Sequence, residues 1–131
     1  VWKELEMFSC NKHETRCFLE GRATGVVRRY SEEHGCPHEP GSEIVLTSQF
    51  LDGKGTAIPF AKATVVSVRP GTIAQFERDS GIARMDGFGA GKEWKSWAKK
   101  MLYPGIHDDA KVYHLKLRIT ELDKTYARKA S

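Results

Sequence analysis

Gly21-Arg22-Ala23-Thr24-Gly25-Val26-Val27-Arg28-Arg29 sets a glycine, three arginines and a threonine hydroxyl within nine residues. Glycine tolerates the left-handed conformation that closes a helix, so a helix is expected to end at Gly21 and a short strand to follow at Val26-Val27. The planar guanidinium fork matches the oxygens of a phosphate, which makes this the first place to look for a ligand. Arg28 and Arg29 are neighbours on a strand and point to opposite faces, so at most one shares a cleft with Arg22. Arg22 and Arg28 read equally as phosphate ligands or as surface arginines, solvated or paired with Glu32-Glu33, and Arg29 reads as surface.

Upstream, Leu5 to Phe8 alternates as a short strand does. Ser9 or Asn11 caps a helix, with Glu14 three residues after Asn11 as in a capping box, and that helix runs to about Glu20 with Cys10 or His13 facing inward beside Cys17 and Phe18. Downstream, the polar segment from Tyr30 to Ser42, with Gly35, Pro37, Pro40 and Gly41, is a loop. Glu43 to Phe50 is a strand, Asp52-Gly53-Lys54-Gly55 a turn, and Ile58 to Val68 a second strand that Pro70-Gly71 ends. Thr72 caps a short helix holding Ile73 and Phe76. The glycine-rich turn of residues 86–91 precedes a helix from Lys92 to Leu102, whose Trp94, Trp97, Ala98 and Met101 make one apolar stripe. Lys111 to Ile119 alternates, with Tyr113, Leu115, Leu117 and Ile119 on one face. Strands outnumber helices and lie too close together for repeated crossovers. The expected fold is therefore α+β, a small bent sheet or open β-barrel with two to three flanking helices.

A chain of 131 residues fits a single domain over residues 1–131. Its 40% hydrophobic and 29% charged residues are those of a soluble globule. There is no run long enough to span a membrane, and the mixed, acidic opening does not read as a secretory signal. Three cysteines cannot all pair within the chain. That odd count fits free thiols and a cytoplasmic location. A net charge of +4 biases the surface toward acidic partners, nucleic acid among them. Arg128 and Lys129 form a short basic end.

Several landmarks, collinear over most of the chain, resemble those of ASCH domains, small PUA-like β-barrels. Phe18-Leu19-Glu20-Gly21-Arg22-Ala23-Thr24 is similar to their I-x-x-G-x-K-T opening. Pro40-Gly41-Ser42-Glu43-Ile44 is similar to the turn into their next strand, and Ala63-Thr64-Val65-Val66-Ser67-Val68 to a later strand. Asp86-Gly87-Phe88 ahead of Trp94 and Trp97, and Tyr103-Pro104-Gly105 ahead of Val112 to Leu117, complete the series. The resemblance implies a nucleic-acid or nucleotide ligand in a cleft lined by the segment after the first helix. RNA is favoured on that ground alone. One branch of the family looks like amidohydrolases that deacetylate N4-acetylcytidine through a G-R-K-T-x-T-x-R run. Gly21, Arg22, Thr24 and Arg28 match it. Ala23 stands in place of the catalytic lysine and Val26 in place of the catalytic threonine, while Asp86 falls near an acidic position.

The expected cleft has Arg22, Thr24 and Arg28 on one wall and Asp86, Lys92 and Tyr103 on the other, with Phe88 as a further ligand contact. Asp86, Lys92 and Thr24 are the candidates for acid, base or nucleophile. The plain reading of Asp86 is a turn residue ahead of a helix, and that of Trp94 and Trp97 is core. Cys10, Cys17, His34, Cys36 and His38 are soft ligands on two segments that would hold zinc only if those segments met, and none of their spacings is a standard one. No G-x-S-x-G elbow and no Walker loop is present. Binding of RNA or a modified nucleoside without a cofactor is the leading expectation. The alternatives are a nucleoside amidohydrolase or ribonuclease of the same fold, and a zinc-stabilised interaction module.

Overall fold

The structure is a computed structural model that describes residue 2 and residues 4–130, with the backbone alone for 128–130. The side chains of Arg128 and Lys129 lie outside that description. Strand β1 (Glu6–Cys10) leads into helix α1 (Lys12–Leu19). The capping box forms as expected: Asn11 Oδ1 accepts from Glu14 N at 2.9 Å, and Glu14 Oε1 accepts from Asn11 N at 3.1 Å. Such a cap is worth about 1 kcal/mol. At the other end Gly21 takes φ +71°. Arg22 N bonds to Cys17 O and Gly21 N to Phe18 O, the paired bonds of a Schellman stop.

Strands β2 (Gly25–Arg28), β3 (Glu43–Ser48), β4 (Ile58–Thr72) and β5 (Lys111–Leu122) complete a sheet in the order β1-β3-β4-β5-β2. Only β1 and β3 run parallel. The sheet curls into a half-barrel, the α+β architecture expected from the sequence. The main core cluster joins the sheet to α1 and buries Phe8, Phe18, Leu46, Phe60, Leu115 and Leu117. Helices α2 (Ile73–Glu77), α3 (Ser80–Met85) and α4 (Gly91–Trp97) enclose a second cluster of Ile73, Phe76, Ile82, Trp94 and Ala98. Helix α5 (Lys124–Ala130) follows β5.

Three expectations are corrected. Pro70-Gly71 does not end β4, which continues to Thr72. Beyond Thr64 that strand pairs only with β5, so a residue without an N–H costs no ladder bond on its open side. The long helix changes character at Ala98, where Ala98–Leu102 forms a π-helical turn closed by Tyr103 N to Ala98 O. The wider turn rotates the apolar stripe away from the core: Trp94 and Ala98 are buried, whereas Met101 is 73% exposed. Finally, five short helices, rather than two or three, flank the sheet among the described residues.

Asp108 ties the π turn to the approach to β5 by accepting from Lys95 and Lys99. Those two hydrogen bonds, Lys95 first, hold its pKa down to about 2. A depressed carboxylate stabilises the fold above its ordinary value of 3.8, and that contribution is lost as pH falls through about 2. Asp108→Asn should therefore flatten the dependence of the urea midpoint on pH across that window. An unaltered slope would sink the assignment. The effect is small, because the pair faces solvent.

Candidate functional site

The segment after α1 is fixed by backbone bonds on both sides. Thr24 N donates to Met85 O at 2.7 Å and Thr24 O accepts from Leu117 N at 2.7 Å, so α3 and β5 clamp it. Thr24, Ala23 and Gly21 then form one wall of a groove of about 760 Å³. Phe18, Leu117 and Ile119 contribute its apolar lining, and Lys116 and Arg118 stand on β5 opposite Thr24. Lys116 and Arg118 alternate with the buried Leu115 and Leu117, so the pleat puts them outside. Among the described residues neither has an ion-pair partner. A second groove, of about 650 Å³, lies across the Gly21 turn and is lined by Lys12, Arg16, Arg22, Phe50 and Tyr126 among others. Leu19 and Glu20 line both grooves. Arg22 faces this second groove, with its Nε on Glu20 at 2.9 Å and its side chain about half exposed.

The arginines expected to share a phosphate do not assemble at one place. Arg28 lies at the open seam of the half-barrel, its side chain 14% exposed. Its two terminal nitrogens reach both oxygens of Glu14, at 2.7 and 2.6 Å, and also donate to Val27 O and Ser9 O. The guanidinium lies 4.6 Å from the Phe8 ring centroid. Burial works against this charge, but the Glu14 charge and hydrogen bonds overcome it and raise the Arg28 pKa. Arg28 therefore links β2 to β1 and α1, and four of its donors are already engaged.

Asp86 has a different set of partners. It closes α3 and is buried, with Oδ1 at 2.7 Å from His114 Nε2 and Oδ2 accepting from Trp94 Nε1 at 2.8 Å. Its backbone carbonyl meets His13 Nε2 at 2.9 Å. His13 stacks on Phe88 at 4.4 Å, with Trp97 beside both rings. Cys17 Sγ lies 3.5 Å from His13 Nε2, and burial pushes its thiol pKa up, which disfavours the thiolate. Lys92 is exposed on α4, beside Trp97, Lys100 and Met101. The Tyr103 hydroxyl accepts from Arg29 N at 2.8 Å. None of Asp86, Lys92, Phe88 and Tyr103 lines the groove that Thr24 lines.

The Cys/His set does not converge either. Among the described residues no three His, Cys, Asp or Glu side chains could hold a metal ion together. Cys10 is buried on β1, Cys17 packs against Gly87, Cys36 reaches toward His38 O, and His34 is exposed. His38 is buried against Phe8 of β1, away from the exposed His34.

No family model matches the chain, and no curated protein matches its sequence. Solved structures do match. The ASCH domain from Lactobacillus crispatus JV V101 superposes with a TM-score of 0.64 at 15% identity, over 87% of this chain and 79% of that one. This is the ASCH fold. A protein from Enterococcus faecalis V583 described under DUF984 gives 0.60 at 18% identity, over 86% of this chain and 72% of that one. An ASCH protein from Zymomonas mobilis gives 0.56 at 12% identity, over 86% and 65%. Identities this low speak for the ASCH fold alone. What the site does rests on its own residues.

Sequence reasoning did not single out His114, Lys116 or Arg118. The alternation of β5 marks Lys116 and Arg118 as outward, a signal that was available. His114 carries no such signal, because its partner Asp86 lies on another element.

Proposed function

We propose that this chain binds RNA, or a modified nucleoside within it, in the groove between Thr24 and β5. The observation that carries the reading is a groove lined both by apolar side chains, Leu117 and Ile119 among them, and by two cations, Lys116 and Arg118, that have no ion-pair partner among the described residues, with Thr24 in the same lining. An apolar lining suits a base, and the cations suit the phosphate or sugar edge. The resemblance of the Gly21–Arg28 run to ASCH domains supports the same ligand class.

Binding is favoured over hydrolysis. Ala23 and Val26 occupy the positions of the lysine and threonine that the amidohydrolase branch uses, and both are packed into the core. Incubation with N4-acetylcytidine should give no cytidine, and product formation would overturn this preference. For binding itself, short single-stranded RNA should bind with an affinity that falls as salt rises. Lys116→Ala combined with Arg118→Ala should reduce it about tenfold or more. Absence of binding to RNA and nucleosides, or binding indifferent to salt, would remove the reading.

A further inference from the structure

We infer that the two grooves flanking the Gly21-Arg22 turn form one continuous track for single-stranded nucleic acid, with Phe50 as its base-stacking post. This rests on the reading above and extends it across α1. Leu19 and Glu20 line both grooves, so the two are neighbours that meet at the end of α1. Cations run the whole way: Lys116 and Arg118 on the sheet side, Arg22 at the ridge, Lys12 and Arg16 on the outer face of α1. Lys12 and Arg16, like the β5 pair, have no ion-pair partner among the described residues. Arg22 gives Glu20 only its Nε, which leaves both terminal nitrogens for a phosphate. An exposed pair of this kind holds its partners weakly, so exchanging Glu20 for a phosphate costs little.

Phe50 adds what a phosphate path lacks. It is 55% exposed on the loop after β3 and lines the outer groove with Lys12 and Arg16. A single exposed phenylalanine is ordinary on a surface. One set in a groove among unpaired cations is the arrangement that stacks bases of any sequence while the backbone is held electrostatically. The track bends around a tight turn, a path open to a flexible single strand and closed to a stiff duplex. A free nucleoside needs only one of the two grooves, so the arrangement points to a chain of several nucleotides.

Fluorescence anisotropy with labelled oligouridines of about three and about ten nucleotides, and a duplex of about ten base pairs, tests this. The longer strand should bind at least about tenfold tighter than the shorter one and tighter than the duplex. Phe50→Ala should weaken the longer strand about tenfold and leave the shorter within about twofold, with an unchanged Tm. Lys12→Ala with Arg16→Ala should reduce the salt slope of the longer strand alone by about 1.4. A DNA strand of the longer length that behaves as the RNA does supports the track, since stacking and phosphate contacts ignore the 2′-hydroxyl. Equal affinity for both lengths, a duplex bound as tightly, or indifference to Phe50→Ala overturns the track. Binding of the shorter strand, lost on removing Lys116 and Arg118, would then leave the single-groove reading standing. If no strand binds, both readings fall.

Discussion

Replacing Arg28 with alanine should lower the unfolding free energy by about 3–5 kcal/mol, a large share of the roughly 5–15 kcal/mol typical of one domain. The half-barrel is open between its two edge strands, β1 and β2. Arg28 spans that seam. It binds both carboxylate oxygens of Glu14 on α1 and the Ser9 carbonyl on β1, and lies over Phe8. Removing it leaves the buried Glu14 carboxylate facing an empty seam, with only the Asn11 backbone N–H still donating to it. Arg28→Lys should recover only part of the loss, because a point charge cannot bridge two oxygens and a carbonyl in the same plane. Urea denaturation of the three proteins measures this. RNA affinity, read at low temperature where the variant stays folded, should change by no more than about twofold, since the fork is committed to Glu14. A variant as stable as the parent but impaired in binding would overturn the seam assignment and return Arg28 to the phosphate.

The features legible in the sequence are those whose physics is local. Asn11 and Glu14 sit three residues apart and cap α1 wherever that helix goes, and Gly21 closes it through a backbone conformation other residues avoid. The alternation of β5 reports a strand and its outward lysine and arginine. The features that were not legible depend on a second element. Glu14 is a capping residue in sequence, and only the fold shows that the same carboxylate also holds Arg28. Pro70 reads as a strand end until β4 is seen to have one open side. Met101 belongs to the apolar stripe only for an uninterrupted α-helix, and the π turn takes it out. Asp86 reads in sequence as a candidate acid, but its partner His114 is 28 residues away on another element, and no spacing rule connects them.

Gly25→Ala should be the other severe variant, at about 3 kcal/mol or more, although it adds a single methyl. Gly25 has no unusual φ, so its role lies in space rather than in conformational freedom. A Cβ there would stand 2.6 Å from His114 Cε1 and 2.9 Å from Asp86 Oδ1. Neither neighbour has room to give. His114 is 3% and Asp86 5% exposed, and the carboxylate is held by Trp94 as well. The backbone cannot withdraw, because Thr24 is bonded to Met85 and Leu117 and Gly25 is registered opposite Lys116. The methyl must therefore push the imidazole off the carboxylate or lift the start of β2 from β5. Either way it disturbs the Thr24 and Lys116 edges of the groove. Gly21→Ala is the control within the same segment: nothing lies within 4 Å of its Cβ, so only the strain of φ +71° is incurred, about 1–2 kcal/mol. Denaturation of the two single variants, and of Gly25→Ala combined with His114→Ala, separates the causes. If the methyl collides with the imidazole, shrinking His114 makes room for it. The double variant should then be less destabilised than the sum of its parts. Additive losses, or a Gly25→Ala protein no weaker than Gly21→Ala, would show that the Asp86–His114 pair does not set the position of β2.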